Sequence, residues 1–379
     1  MALAENARRL LGRSRGEQEL DAKLRGHDNN FDAMRLLFAA LVLFSHSYPL
    51  LGRPDEFFSK LVGYDTGGGF AVAGFFVISG FLVARSALSS SLRRYTAGRV
   101  LRIVPALAVM SVVCALVLGS LVTQLAPADY FSRAATWGYL RNALVFPLQY
   151  NLPGVFAENP LHAVNGSIWT LPIETAMYVA LPVLVAAGLL SRIGVVATLA
   201  AIAAGLYVAT AHWGLSSANQ GLAILPFVPI FGLLKFGFFF VAGAWLYVYR
   251  GFVPLSPALA AGILILWAAL HHTTAGLCAW YLGLPYLVFF FGFHGANLGA
   301  FFARHGDLSY GVYIYAFPVQ QWVIHALGTA TLGVASLTLA SLLPTLVLAY
   351  CSWHLVERRA LLWKERWSGP RRAVAATTP

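Results

Sequence analysis

Residues 31–50, FDAMRLLFAALVLFSHSYPL, form an apolar stretch of membrane length with an arginine near one end and a histidine near the other. Ten residues lie between Arg35 and His46, and none of them is charged. On a helix, eleven steps of about 100° bring His46 back to within roughly 20° of Arg35. The same steps carry it about 16.5 Å along the axis. Both ionisable groups therefore face one way, one toward each end of the segment. Either alone could snorkel to its nearer interface. Two on a common face point instead to a lined polar interior, since ionisable groups inside a bilayer are costly and mark functional positions.

The rest of the chain continues the pattern. Of 379 residues 59% are hydrophobic and only 11% charged, against about 25% charged in an ordinary soluble domain. Apolar segments of about 20 residues, the length that crosses a bilayer as a helix, recur near 31–50, 70–86, 101–122, 168–190, 193–212, 224–249, 253–271, 275–293, 308–328 and 332–355. The expected fold is an all-α, polytopic transmembrane helix bundle of about ten membrane-spanning helices. The segment 224–249 is broken by Pro226, Pro229 and several glycines, so it reads as a half-helix followed by a full one. Cys114, Cys278 and Cys351 sit in apolar stretches without metal-ligand spacing and read as small core residues. Residues 1–30 are polar and charged throughout, unlike a cleavable signal peptide, so the first membrane helix is expected to act as its own targeting signal.

Basic residues orient the bundle. With the N-terminus in the cytoplasm, 20 of the 26 Lys and Arg fall on the inner side and four outside: Arg53, Lys60, Arg133 and Arg141. By the positive-inside rule both termini are cytoplasmic. The net charge of +11 thus follows from topology, and nucleic acid is not an expected partner. Residues 1–30 read as a cytoplasmic basic arm resting on anionic lipid, 31–357 as the membrane domain, and 358–379 as a cytoplasmic basic tail. Two outer connections, 51–69 and 123–167, are long enough to contact a polar substrate.

Chemistry-bearing groups fall at both ends. His46, toward the outer end of its helix, reads as a general base or as a hydrogen-bonded core residue. Glu174 is the one acid in SIWTLPIETAMYVALPVL. An unpaired buried carboxylate is expensive, so it needs a partner, and His46 lies at similar depth. A structural ion pair or a protonated carboxyl is the plainer alternative. In RRYTAGRVLRIVPAL, Arg99 and Arg102 stand three residues apart and neighbour each other on a helix. With Arg93 and Arg94 they form a basic cluster suited to phosphates, or simply positive-inside charge. Arg35 can join them, held by Asp32 three residues earlier. Ser79 in FFVISGFLV reads as a packing residue, since no nucleophile elbow surrounds it. His271, His272, His294, His305, His325 and His354 lack metal-site spacing, so no metal is expected. The stripe Tyr310, Tyr313, Tyr315 and Phe317 reads as packing.

Taken in order, these stretches resemble the acyltransferase-3 family of integral membrane acyltransferases. FDAMRLLFAALVLFSH is similar to its arginine–ten residues–histidine signature, FFVISGFLV to its second-helix pattern, and RRYTAGRVLRIVPAL to its Arg-x-x-Arg stretch. SIWTLPIE resembles its tryptophan-to-glutamate segment, LSYGVYIYAFPV its late Ser-Tyr helix, and residues 352–357 its final one. The resemblance covers about residues 30–360 and implies O-acyl transfer, often of acetyl from a coenzyme A thioester, to a carbohydrate hydroxyl. It implies acyl-CoA (acetyl-CoA foremost) docked on Arg35, Arg99 and Arg102, and His46, steadied by Glu174, activating the acceptor hydroxyl. The partners so implied are acyl-CoA, a carbohydrate or glycolipid acceptor such as lipopolysaccharide, O-antigen or exopolysaccharide, and the lipid bilayer of a bacterial inner membrane. A small secondary metabolite such as a macrolide is an equally permitted acceptor. From another class, a transporter or flippase would use the same cavity, but its paired broken helices are not evident.

Overall fold

The computed structural model describes residues 15–26, 28–216, 220–221, 223–225, 228–295 and 298–367. The bundle is all-α, with a single two-stranded hairpin among the described residues. Its principal helices are α1 Arg15–Gly26, α2 Phe31–Leu50, α3 Gly67–Ser89, α4 Leu92–Val112, α5 Leu171–Ala186, α6 Arg192–Trp213, α7 Ile230–Val248, α8 Pro257–Leu270, α9 Thr274–Phe293, α10 Ser309–Leu327, α11 Val334–Ser352 and α12 Arg358–Trp367. Strands β1 Ala223–Leu225 and β2 Val228–Pro229 pair antiparallel just before α7.

Among the described residues eight helices are long and apolar enough to cross a membrane, fewer than the ten that hydropathy alone suggests. Helix α8 has 14 residues and spans about 21 Å, short of the ~30 Å hydrocarbon core. Helix α10 has 19 residues, but its apolar run is diluted by three tyrosines, Gln320, Gln321 and His325, most of them buried against protein rather than lipid. The half-helix expected at the start of 224–249 is instead the β1–β2 hairpin, and the helix proper begins after Pro229, whose missing N–H costs nothing there.

Small residues set the tightest crossing. A Cβ on Gly80 of α3 would collide with the Phe240 carbonyl of α7, and one on Gly243 of α7 with the Val77 carbonyl of α3. Without hydrophobic drive between helices in lipid, such backbone proximity is a main source of association. Local capping fixes where α3 starts. Thr66 Oγ1 accepts from Gly69 N at 3.0 Å, and the buried Glu56 carboxylate accepts from Ser59 N at 2.7 Å and Gly67 N at 3.1 Å. Lys235, inside α7, is neutralised by Asp65 just ahead of α3.

Helix α4 runs on through a π-helical turn, Val113–Leu118, to Gly119–Val122. There Tyr130 OH donates to the Ala115 carbonyl at 2.7 Å, and Gly119 leaves room for its ring. Tyr130 belongs to the long connection 123–166, which folds as short helices over one end of the bundle. Asn142 pins it through Nδ2 to Gln149 O at 2.8 Å and Oδ1 to Gln149 N at 2.7 Å. Asn159 joins it to α10 through Gln321.

Of the N-terminal arm, residues 15–26 form α1, which packs on protein. The Asp21 carboxylate is held by Arg250 through Nε at 2.9 Å and Nη2 at 3.0 Å, both side chains buried. Arg85 Nη1 donates to Leu24 O at 3.3 Å. Residues 1–14 lie outside the described part of the chain.

Candidate active site

A cavity of about 450 Å³ opens between α2, α3, α4, α5 and α10. Arg35, Arg99, Arg102 and Glu174, separated by up to 139 positions in the sequence, all line it. Helix period delivers each one: Arg35 from the first turns of α2, Arg99 and Arg102 from neighbouring positions of α4, Glu174 from the first turn of α5.

The arginines are not equivalent. Arg35 is ion-paired with Asp32, as their spacing predicts, and its Nη2 lies 3.1 Å from Asp307 Oδ2. Arg102 Nη2 bonds the same Asp307 oxygen, and its Nη1 lies 3.4 Å from Glu357 Oε2. Glu357 is fixed in turn by Ser352 Oγ at 2.9 Å. Arg99 has no carboxylate within ion-pair distance among the described residues. Its guanidinium lies over the Tyr178 ring, 5.4 Å from the centroid, and its Nε is buried without a hydrogen-bond partner.

Asp307 is the hub of this arrangement, and sequence reasoning passes over it. Burial pushes its carboxyl upward, but the Arg102 and Arg35 guanidinium groups and two bonds from Ser309 outweigh that and hold it well below the usual carboxylate range. Ser309 N donates at 3.2 Å, and Ser309 Oγ also bonds Oδ1. The one local signal is that Asp307 stands immediately before LSYGVYIY, two residues ahead of Ser309, the first residue of α10.

Glu174 does not pair with His46. Its carboxylate accepts from Tyr178 OH one turn along α5, and Tyr178 OH also meets Ser79 Oγ at 3.2 Å. The carboxylate thus joins the wall that carries the arginines. Depth along the helices suggested the histidine; the spacing of four, which stacks side chains on one face, gives the partner found. Ser79 contributes its hydroxyl to this wall rather than packing alone.

His46 does not line the cavity and is half-buried. Its Nδ1 is 3.5 Å from Ser167 Oγ, and its ring meets Phe317 edge-on at 5.3 Å between centroids. The link to the cavity is Tyr313, which lines it. Tyr313 OH donates to Ser167 O at 2.8 Å and meets Thr170 Oγ1 at 2.6 Å. Tyr313 therefore connects the cavity to the Ser167 turn beside His46, and Tyr310, whose OH donates to Ile103 O at 3.0 Å, carries Arg102 over its ring at 5.5 Å.

Comparison with known proteins decides what this constellation belongs to. The acyltransferase-3 family model, described as an acyltransferase domain, matches residues 28–354. The chain belongs to the acyltransferase-3 family. It is similar to the O-acetyl transferase of Shigella phage Sf6, 31% identical over 339 residues covering 88% of this chain and 96% of the relative. It is also similar to nodulation protein 10 of Rhizobium leguminosarum bv. viciae, 28% identical over 379 residues covering 92% and 98%. No solved structure matches it. This acyltransferase-3 chain is accordingly a multi-pass membrane protein and an O-acyltransferase.

Proposed function

We propose that the protein moves an acetyl group from cytosolic acetyl-CoA to a hydroxyl of a cell-envelope carbohydrate at the outer side of the bacterial inner membrane. The observation that carries this reading is one cavity lined both by Arg35, Arg99 and Arg102 and by Tyr313, whose hydroxyl bonds the Ser167 carbonyl beside His46. A phosphate-bearing donor suits the arginine end, where charge-assisted and bidentate bonds are strongest. Its extended pantetheine arm would then present the thioester toward His46. Excess Lys and Arg in the connections on the Arg35 side of the bundle support that side as cytosolic. The relative named as an O-acetyl transferase supports acetyl as the group moved.

In the transfer step His46 takes the proton of the acceptor hydroxyl as its oxygen attacks the thioester carbonyl. The C–S bond breaks, and the departing thiolate receives that proton. Arg35 and Arg102 hold the shape of the donor end through Asp307, and Arg99 meets donor charge directly. Glu174, fixed by Tyr178, lies in the wall between the two ends.

The test uses proteoliposomes carrying the purified protein and lipopolysaccharide, with radiolabelled acetyl-CoA supplied only on the Arg35 side. Label is expected on polysaccharide of the opposite face. Label on an added macrolide with none on polysaccharide would replace the acceptor class.

A further inference from the structure

The imidazole of His46 is held by a neutral hydroxyl on a rigid turn. Ser167 begins the 3₁₀ turn Ser167–Thr170, and the residue is fully buried. Both of its backbone polar groups are engaged by side chains. Ser167 N donates to Asn165 Oδ1 at 3.0 Å, and Ser167 O accepts from Tyr313 OH at 2.8 Å. Asn165 is itself fixed through Nδ2 to Ile314 O at 2.8 Å. With its backbone clamped, the remaining freedom of Ser167 is the rotation of its hydroxyl, and that oxygen lies 3.5 Å from His46 Nδ1. The opposite constraint is Phe317, whose ring meets His46 edge-on and sits so close to Gly166 that a Cβ there would come within 2.7 Å of it.

We propose that Ser167 is the positioning residue for His46: its Oγ accepts a hydrogen bond from Nδ1–H, fixes the imidazole tautomer and leaves Nε2 to take the proton of the attacking hydroxyl. The inference rests on the reading of His46 as the base. A base that accepts at Nε2 must carry its other proton on Nδ1, and whatever Nδ1 bonds to selects that tautomer. During transfer the hydroxyl proton passes to Nε2, the new C–O bond forms, the C–S bond breaks, and the thiolate removes the Nε2 proton. The Nδ1 proton stays where it is throughout. Ser167 thus fills the place that a carboxylate holds in many catalytic histidine pairs, while the Glu174 carboxylate is taken by Tyr178. Because the turn is anchored to α10 through Tyr313 and Asn165, the geometry at His46 is tied to the wall of the donor cavity.

The test uses purified full-length protein in lipid nanodiscs and follows thiol release from acetyl-CoA, with water as the acceptor. Ser167→Ala is expected to lower kcat by about tenfold or more while KM for acetyl-CoA stays within about twofold, the mark of a misaimed base rather than a lost binding site. Ser167→Thr keeps the hydroxyl and is expected to retain most of the rate. In a His46→Ala background, Ser167→Ala should lower the residual rate no further, since an orienting group has nothing left to orient. A Ser167→Ala enzyme with wild-type kcat overturns the proposal. So does an equal further loss in the His46→Ala background, or equal damage from Thr and Ala. A His46→Ala enzyme at full rate sinks the reading of His46 as well; an inactive one beside a fully active Ser167→Ala sinks this inference alone.

Discussion

Arg102 donates through Nη2 to the carboxylate of Asp307, 205 residues further along the chain. The bond ties α4 to the start of α10, and Arg35 of α2 closes on the same oxygen. Three helices distant in sequence are thus locked around one negative charge, which gives the arginine-lined part of the cavity its form. Without Asp307, two guanidinium groups would face each other across a partly dry space. Like charges so placed repel strongly.

Asp307→Asn should therefore damage the enzyme more than its distance from His46 suggests. Breaking a largely buried pair by removing one partner costs on the order of 3 kcal/mol. The expected result is a lower unfolding midpoint in detergent together with a raised KM for acyl-CoA. Thermal unfolding and steady-state kinetics on one preparation check both.

The same carboxylate sets an acid limit. Its folded-state pKa lies below the ordinary 3.8, so its contribution to stability is fully present above that value and is lost as pH falls through the lower folded pKa. Unfolding midpoints followed downward from pH 5 should fall more steeply for the wild type than for Asp307→Asn. Parallel curves would mean that this charge is not coupled to folding.

Arg99 and Arg102 should separate experimentally. Among the described residues Arg99 has no carboxylate within ion-pair distance, and it lies over Tyr178, so Arg99→Ala is expected to weaken acyl-CoA binding by about tenfold, a charge-assisted bond's worth, with little loss of stability. Arg102→Ala leaves Asp307 and Glu357 without their shared cation and should lower stability first. Binding isotherms beside thermal melts distinguish the two.

Gly80→Ala should loosen the bundle by forcing α3 away from the Phe240 carbonyl. Overpacking of this kind costs typically 1–3 kcal/mol, about the range expected in thermal unfolding. Gly262→Ala on α8, where an added Cβ meets nothing within 4 Å, is the matched control.

Much of this is legible from sequence because its signals are local. Spans follow from hydropathy, the Asp32–Arg35 pair from a spacing of three, and the neighbouring cavity positions of Arg99 and Arg102 from helix period. Contacts of long range are not legible in the same way. Nothing near Arg102 announces Asp307, and nothing near His46 announces Ser167, 121 residues away. Glu174 is the instructive case, since its partner Tyr178 was within reach of a spacing rule while similar depth pointed to His46. Helix α10 shows the complementary limit. Hydropathy finds it as an apolar segment, but its buried tyrosines and glutamines, which face the cavity and the folded connection, make it more polar than the helices that can cross the bilayer.

The most direct measurement is of donor binding and acetyl transfer on the same His46→Ala preparation in lipid. Acetyl-CoA should bind with wild-type affinity, because the arginine end is untouched, while transfer falls by about a hundredfold or more, the usual worth of a positioned base. Transfer at the wild-type rate by that variant would contradict the assignment of His46 as the base.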